Sequence, residues 1–121
     1  MSAAKLPSPD TLLPLPSAAF HILMALAGED RHGYAIIQDV AARTGNQLRL
    51  GAATLYRSLQ RMLEQGLIVE TGGPLAPGFD DERRRYYRIT RFGEAVARAE
   101  VRRLTGLVKL ARQSGFSPGK A

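Results

Sequence analysis

The spacing of apolar positions changes along this 121-residue chain, and each change marks an element. Ser17 follows Pro16 as an N-cap, and Phe20, Leu23, Met24 and Ala27 then recur at helical spacing until Gly28. A second helix is predicted over HGYAIIQDVAART, with Ile36, Ile37, Val40 and Ala41 on one side and Gly45 as its C-terminal stop. Leu48 and Leu50 in NQLRL suggest a short extended piece. GAATLYRSLQRMLEQG reads as a third helix whose Leu55, Leu59, Met62 and Leu63 fall on one buried face, with Gly66 ending it. At 100° per residue Arg57 lies across from that face, Ala53 and Arg61 stand about 40° to either side of it, and Tyr56 is on a flank.

The period then shortens. LIVET and RRYYRIT are β-branched and aromatic runs on either side of GGPLAPGFDDE, which glycine and proline exclude from helix, so a β-hairpin is predicted. If Tyr87 and Ile89 face the core, Arg84, Tyr86 and Arg88 face away. From residue 91 to 114 a helical period returns. Its stripe Ala97, Val101, Leu104, Val108, Ala111 alternates spacings of three and four like a coiled-coil seam, and Leu107 and Leu110 widen it. A solitary domain would bury this stripe in its own core; a dimer would bury it against a second copy.

The expected organisation is therefore mainly α with a small β-hairpin: a winged helix-turn-helix domain over 17–90 and a long C-terminal dimerisation helix over 91–114. A flexible N-terminal arm, 1–16, and a flexible tail, 115–121, flank it. Composition adds exclusions. Hydrophobic residues make up 45% and charged residues 23%, no apolar run nears the length of a membrane span, and the proline-containing N-terminus lacks the apolar run of a signal peptide, so a cytoplasmic protein is expected. With no cysteine, disulfides, thiolate metal sites and cysteine nucleophiles are out. His21 and His32 have no second ligand three or four residues away, and Asp80, Asp81 and Glu82 read as a solvated cluster balancing nearby arginines. No catalytic residues, metal site, cofactor or enzymatic activity is expected.

Charge sharpens the picture. Residues 1–82 carry six Lys/Arg and nine Asp/Glu, whereas residues 83–121 carry eleven and two. The basic field thus begins at Arg83, Arg84 and Arg85, at the end of the hairpin, and such a field attracts polyanions. Three helices followed by strand, loop and strand is the order of a winged helix-turn-helix, which places the third helix in the major groove. Arg57 and Arg61 suit guanine edges or phosphates, Thr54 and Tyr56 suit phosphates or a thymine methyl, and Ala53 permits close approach. Two other readings are a winged helix acting through protein partners, which an acidic or apolar face would have favoured, and one that binds RNA.

The same residues resemble the PadR family of bacterial transcriptional regulators. The resemblance rests on FHILMALAGEDRHGYAIIQDV with its HGY triplet, GAATLYRSLQRMLEQGLI with its TLY element, and DDERRRYYRITRFGEAV, and spans about residues 16–112. Where the family often has Pro-Gly before TLY this chain has Ala52 and Ala53, which blurs the start of the third helix by a residue or two. The resemblance implies double-stranded DNA as partner, with Tyr34, Thr54, Tyr56 and the wing arginines among the contacts. It also implies a homodimer formed by the C-terminal helix, partly against the partner's N-terminal helix, where Phe20 lies. A repressor of this type binds a pseudo-palindromic operator and is released by a small-molecule effector held near the subunit interface. No ligand-binding residue is evident, and few aromatics are present to stack on a planar ligand.

Overall fold

Ser17–Ala25 forms α1, entered from Pro16, so that Ser17 is the first helical residue and not the cap. Its Ile22 and Leu23, with Leu26 beyond its end, are fully buried, and Gly28 at φ +82° turns the chain back. Arg31–His32 then forms the two-residue strand β1. The computed structural model describes residues 6–72 and 85–119.

His32 also starts α2, Gly33–Arg43: its Nδ1 accepts the Ala35 N–H at 3.2 Å, supplying the cap that a serine or aspartate usually provides. The exit from α2 uses two successive left-handed residues, Gly45 and Asn46. The Thr44 hydroxyl donates to the Val40 carbonyl and accepts the Leu48 N–H, holding the connection close. No strand forms over Leu48–Leu50. Leu50 is instead buried and Leu48 packs on the core, anchoring the loop that delivers α3.

Ala52–Glu64 is α3, and it begins at Ala52 with Gly51 at the cap position. Leu55, Leu59 and Met62 are buried as the spacing predicts, and Leu63 packs at the edge. Each fully buried side chain contributes roughly 1.5–3 kcal/mol relative to exposure. Gly66, at φ +78°, ends the helix in a paired arrangement: its N–H donates to the Leu63 carbonyl, and the Leu67 N–H donates back to Met62. Because Met62 and Leu67 are both buried, the turn joins α3 to the next strand inside the core.

Ile68–Thr71 (β2) and Tyr86–Ile89 (β3) pair antiparallel, with Ile68 opposite Ile89 and Thr71 opposite Tyr86. The sheet has a third member that the periodicity did not reveal. β1 pairs with the other edge of β3, Arg31 opposite Tyr87 and His32 opposite Tyr86, giving the order β1-β3-β2. Tyr87 is buried and Ile89 packs on the core while Arg88 is exposed, as the alternation requires.

Arg91–Gln113 is α4. Thr90 caps it by accepting the Gly93 N–H at 2.9 Å, while its own hydroxyl donates to the Gly66 carbonyl at 2.7 Å. An alanine methyl at Gly93 would stand 2.2 Å from the Leu67 carbonyl oxygen, so only glycine allows α4 to seat on the α3–β2 turn. Phe92, Val96, Ala99 and Glu100 are buried in the first half of α4, and every residue from Thr105 to Leu110 is exposed. The helix therefore runs beyond the core that supports its start.

Residues 6–16 depart from the flexible arm expected of them. Pro9–Leu12 forms a 3-10 turn against α4, Leu12 and Leu13 pack on the core, and Leu15 enters it at 8% exposure. Proline and serine suggest mobility, but three leucines in this stretch find apolar surface between α1, α3 and α4.

Candidate nucleic-acid interface

α2, α3 and the sheet converge at His32–Tyr34. The His32 ring meets the Tyr86 ring edge-on, with centroids 5.3 Å apart and planes at 88°, so the cap of α2 is fixed to the wing strand. A methyl at Gly33 would lie 2.6 Å from the Tyr56 hydroxyl oxygen, which brings α3 directly against the start of α2. Tyr34 and Tyr56 are both more than half exposed despite this close setting. The HGY triplet thus acts at three places: histidine caps, glycine makes room for Tyr56, and tyrosine projects outward.

Thr54, Tyr56, Arg57 and Arg61 are all exposed on α3, as expected from the helical wheel. Among the described residues, neither Arg57 nor Arg61 pairs with an acid, whereas Arg31, Arg43, Arg85, Arg88 and Arg103 all do. Arg61 also lines a cleft of about 300 Å³ with Ser58, Gln65 and the N-terminal segment, so it flanks the outward face and Arg57 is nearer its centre. Arg49 was not singled out in the sequence. It is exposed in the α2–α3 loop between the anchors Leu48 and Leu50, and its place beside a buried leucine was the available signal.

On the wing, the structure separates residues that build it from those it presents. Arg88 grips Asp30 with two bonds, Nε to Oδ1 at 3.1 Å and Nη2 to Oδ2 at 2.9 Å. That grip holds the Asp30 carboxyl below the usual carboxylate range, chiefly through the Arg88 hydrogen bond. Asp30 therefore clips β3, the central strand of the sheet, to the turn after α1. Burial raises the Tyr87 phenol above its ordinary value, with Glu70 and Tyr56 adding to the effect. Arg85 lies 3.5 Å from Glu70 with most of its side chain exposed, a pairing easily exchanged for a phosphate. Arg83, Arg84 and the acidic cluster Asp80–Glu82 lie outside the described residues.

The residues expected at a subunit interface fall into two sets. Phe20 of α1, with Val101, Leu104 and Val108 of α4, lines an open apolar groove of about 740 Å³ rimmed by Lys109 and Arg112. Ala97 lines an adjoining groove of about 530 Å³ that also includes Phe20 and Val101. Leu107 and Ala111 line neither. On the helical wheel Leu107 and Leu110 continue the sector of Val96 and Ala99, which is covered near the start of α4 and exposed farther on. Among the described residues no cluster of potential metal ligands occurs, and no helix is long and apolar enough to cross a membrane.

Comparison with known proteins agrees with this geometry. A transcriptional regulator from Clostridium thermocellum superposes with a TM-score of 0.68 at 25% identity, covering 78% of this chain and 89% of its own. Bacillus subtilis PadR in complex with operator DNA shares the fold at a TM-score of 0.60 and 17% identity, over 73% of this chain and 48% of its own. An uncharacterised protein of Lysinibacillus sphaericus is 38% identical over 74 residues, which are 61% of this chain and 65% of that relative's length. The family model of the PadR-like transcriptional regulators matches residues 22–99, from the core of α1 to the buried part of α4, and the chain belongs to that family.

Proposed function

We propose that this chain is a homodimeric, sequence-specific repressor that binds double-stranded DNA. The observation that carries the proposal is the outward face of α3, where Arg57 and Arg61 stand exposed beside Thr54 and Tyr56 without acidic partners among the described residues. A firmly buried back and a front whose two arginines form no ion pair among the described residues suit a helix that enters a major groove. Tyr34, Arg49 and Arg85 serve as phosphate contacts beside this helix, and by the sequence resemblance Arg83 and Arg84 are further candidates for DNA contact. The operator-bound relative with the same fold supports duplex DNA over RNA.

Dimerisation is supported by the apolar residues that the chain leaves uncovered: Val101, Leu107, Val108 and Leu110 are each at least half exposed. A second copy seats its own α4 and α1 there, with Phe20, Ala97, Leu104 and Ala111 completing the contact. Two α3 helices then meet successive major grooves about 34 Å apart on a pseudo-palindromic operator. A small-molecule effector releasing the DNA would enter the groove beside Phe20, where an apolar wall meets Lys109 and Arg112.

Selection of bound fragments from random duplex DNA tests the proposal as a whole. A pseudo-palindromic consensus is expected, together with a dimer mass for the bound protein. Enrichment of no sequence, or equal competition by RNA of the selected sequence, would overturn it.

A further inference from the structure

The end of α4 holds an aromatic ring out in solvent. The Gly115 N–H donates to the Arg112 carbonyl at 3.0 Å and the Phe116 N–H to the Ala111 carbonyl at 2.9 Å, with Gly115 at φ +95°. These paired bonds fix the backbone of Phe116 against the last turn of the helix. In such an ending the residue after the glycine usually packs on its own helix, but the side chain it would meet here is Ala111, and Phe116 stays 75% exposed. The core that covers α4 ends near Glu100, about 24 Å back along the helix, so it cannot cover the ring.

An apolar groove lies at the other end of the same helix. It measures about 530 Å³ and is walled by Phe20, Met24, Ile89, Ala97 and Val101, with Glu94 also lining it. Two features of the α4 stripe favour one way of pairing with a second copy. Ala97, Val101, Leu104, Val108 and Ala111 read the same in either direction, so a copy running antiparallel about Leu104 meets the stripe alanine to alanine and valine to valine. Glu94 and Arg112 stand at its two ends, about five turns apart and so on one line of the helix, and neither forms an ion pair among the described residues. An antiparallel copy sets each Glu94 beside the partner's Arg112, whereas a parallel copy sets like charge beside like.

We infer, resting on the homodimer reading above, that Phe116 of each subunit is an anchor that fills the groove between α1 and the start of α4 on the second copy, so that each groove is completed only by the other chain. Measured from Leu104, Phe116 lies about 18 Å toward the C-terminus and Glu94 about 15 Å toward the N-terminus. In the antiparallel pair the ring therefore arrives within one turn of the partner's Glu94, beside the groove.

Sedimentation of the full chain at several concentrations tests the anchor. Each buried ring contributes about one decade of affinity and the dimer has two, so Phe116→Ala is expected to raise the dimer dissociation constant about 100-fold, with Phe116→Leu between and the helical signal unchanged. Crosslinking reads the direction of pairing. The chain has no cysteine, so Phe116→Cys and Ala97→Cys each carry a single thiol. With a short bismaleimide, the two variants mixed and allowed to exchange are expected to give a crosslinked dimer, and neither variant alone to give one. A dimer of wild-type strength in Phe116→Ala, crosslinking of either variant to itself, or none in the mixture would overturn the anchor while leaving the homodimer in place. A wild type that sediments as a monomer overturns both.

Discussion

α3 and α4 carry similar apolar stripes, yet they meet opposite fates. In α3, Leu55, Leu59 and Met62 are covered completely by the chain's own core. In α4, coverage stops near Glu100, and Val101, Leu107, Val108 and Leu110 remain in solvent. Periodicity shows that a helix has an apolar face, but not what covers it. A 13-residue helix fits within the core, whereas a 23-residue helix, roughly 34 Å long, must outrun it. The first presents its polar side for function and the second its apolar side.

The largest effect that separates the two helices is expected from Leu59→Ala. It leaves a cavity in the core and costs about 2–5 kcal/mol of unfolding free energy in urea titration, whereas Val108→Ala changes the stability of an isolated subunit little. Val108→Asp is the next largest, acting on association instead of folding. A carboxylate at the proposed subunit contact raises the dimer dissociation constant by about 100-fold or more, read by sedimentation at several concentrations with the helical signal retained. A dimer indifferent to this change would place the interface elsewhere.

On the α3 side, Arg57→Ala weakens operator binding by about 1–3 kcal/mol if the guanidinium reads a base. Equal loss on operator and random DNA would assign it to a phosphate. Arg85→Ala is smaller and shows best in the salt dependence, flattening the log–log slope by about 0.9 if one phosphate contact is lost; an unchanged slope leaves Arg85 as the partner of Glu70 alone. The smallest effect concerns the wing root. Because Arg88 lowers the Asp30 pKa in the folded state, the clip contributes stability above the unfolded carboxylate value of about 4. That contribution is lost as pH falls through the folded value. Melting temperature followed against pH should therefore fall less steeply on the acid side in Asp30→Asn, with the remaining loss coming from Glu100, whose carboxyl Arg103 also holds low.

Legibility in the sequence followed the range of the interactions involved. The third helix could be read along its buried face and to its end, with its first residue left open by one or two, because Leu55, Leu59, Met62 and Leu63 are related by local spacing and Gly66 by local turn chemistry. The PadR resemblance in HGY and TLY agrees with the family the chain belongs to. The third strand was hidden because Arg31–His32 is two residues long and exists only through its ladder to Tyr86–Tyr87, more than fifty residues away. The grip of Arg88 on Asp30 was hidden for the same reason, and so was the work of Gly33 in making room for Tyr56. Leu12, Leu13 and Leu15 were visible as apolar residues, but their setting among prolines suggested a loose arm.

By itself, then, the sequence determined the helices, the wing strands, the basic outward face of α3 and the apolar stripe of α4, since each depends on neighbours within a few turns or on summed charge. Tertiary structure alone decided that Arg88 is held by Asp30 while Arg85 stays largely exposed, that residues 6–16 pack against α4 and the core, and where along α4 the core ends. Those outcomes depend on which distant groups arrive at hydrogen-bonding or van der Waals distance, and that is a property of the packed chain rather than of any segment of it.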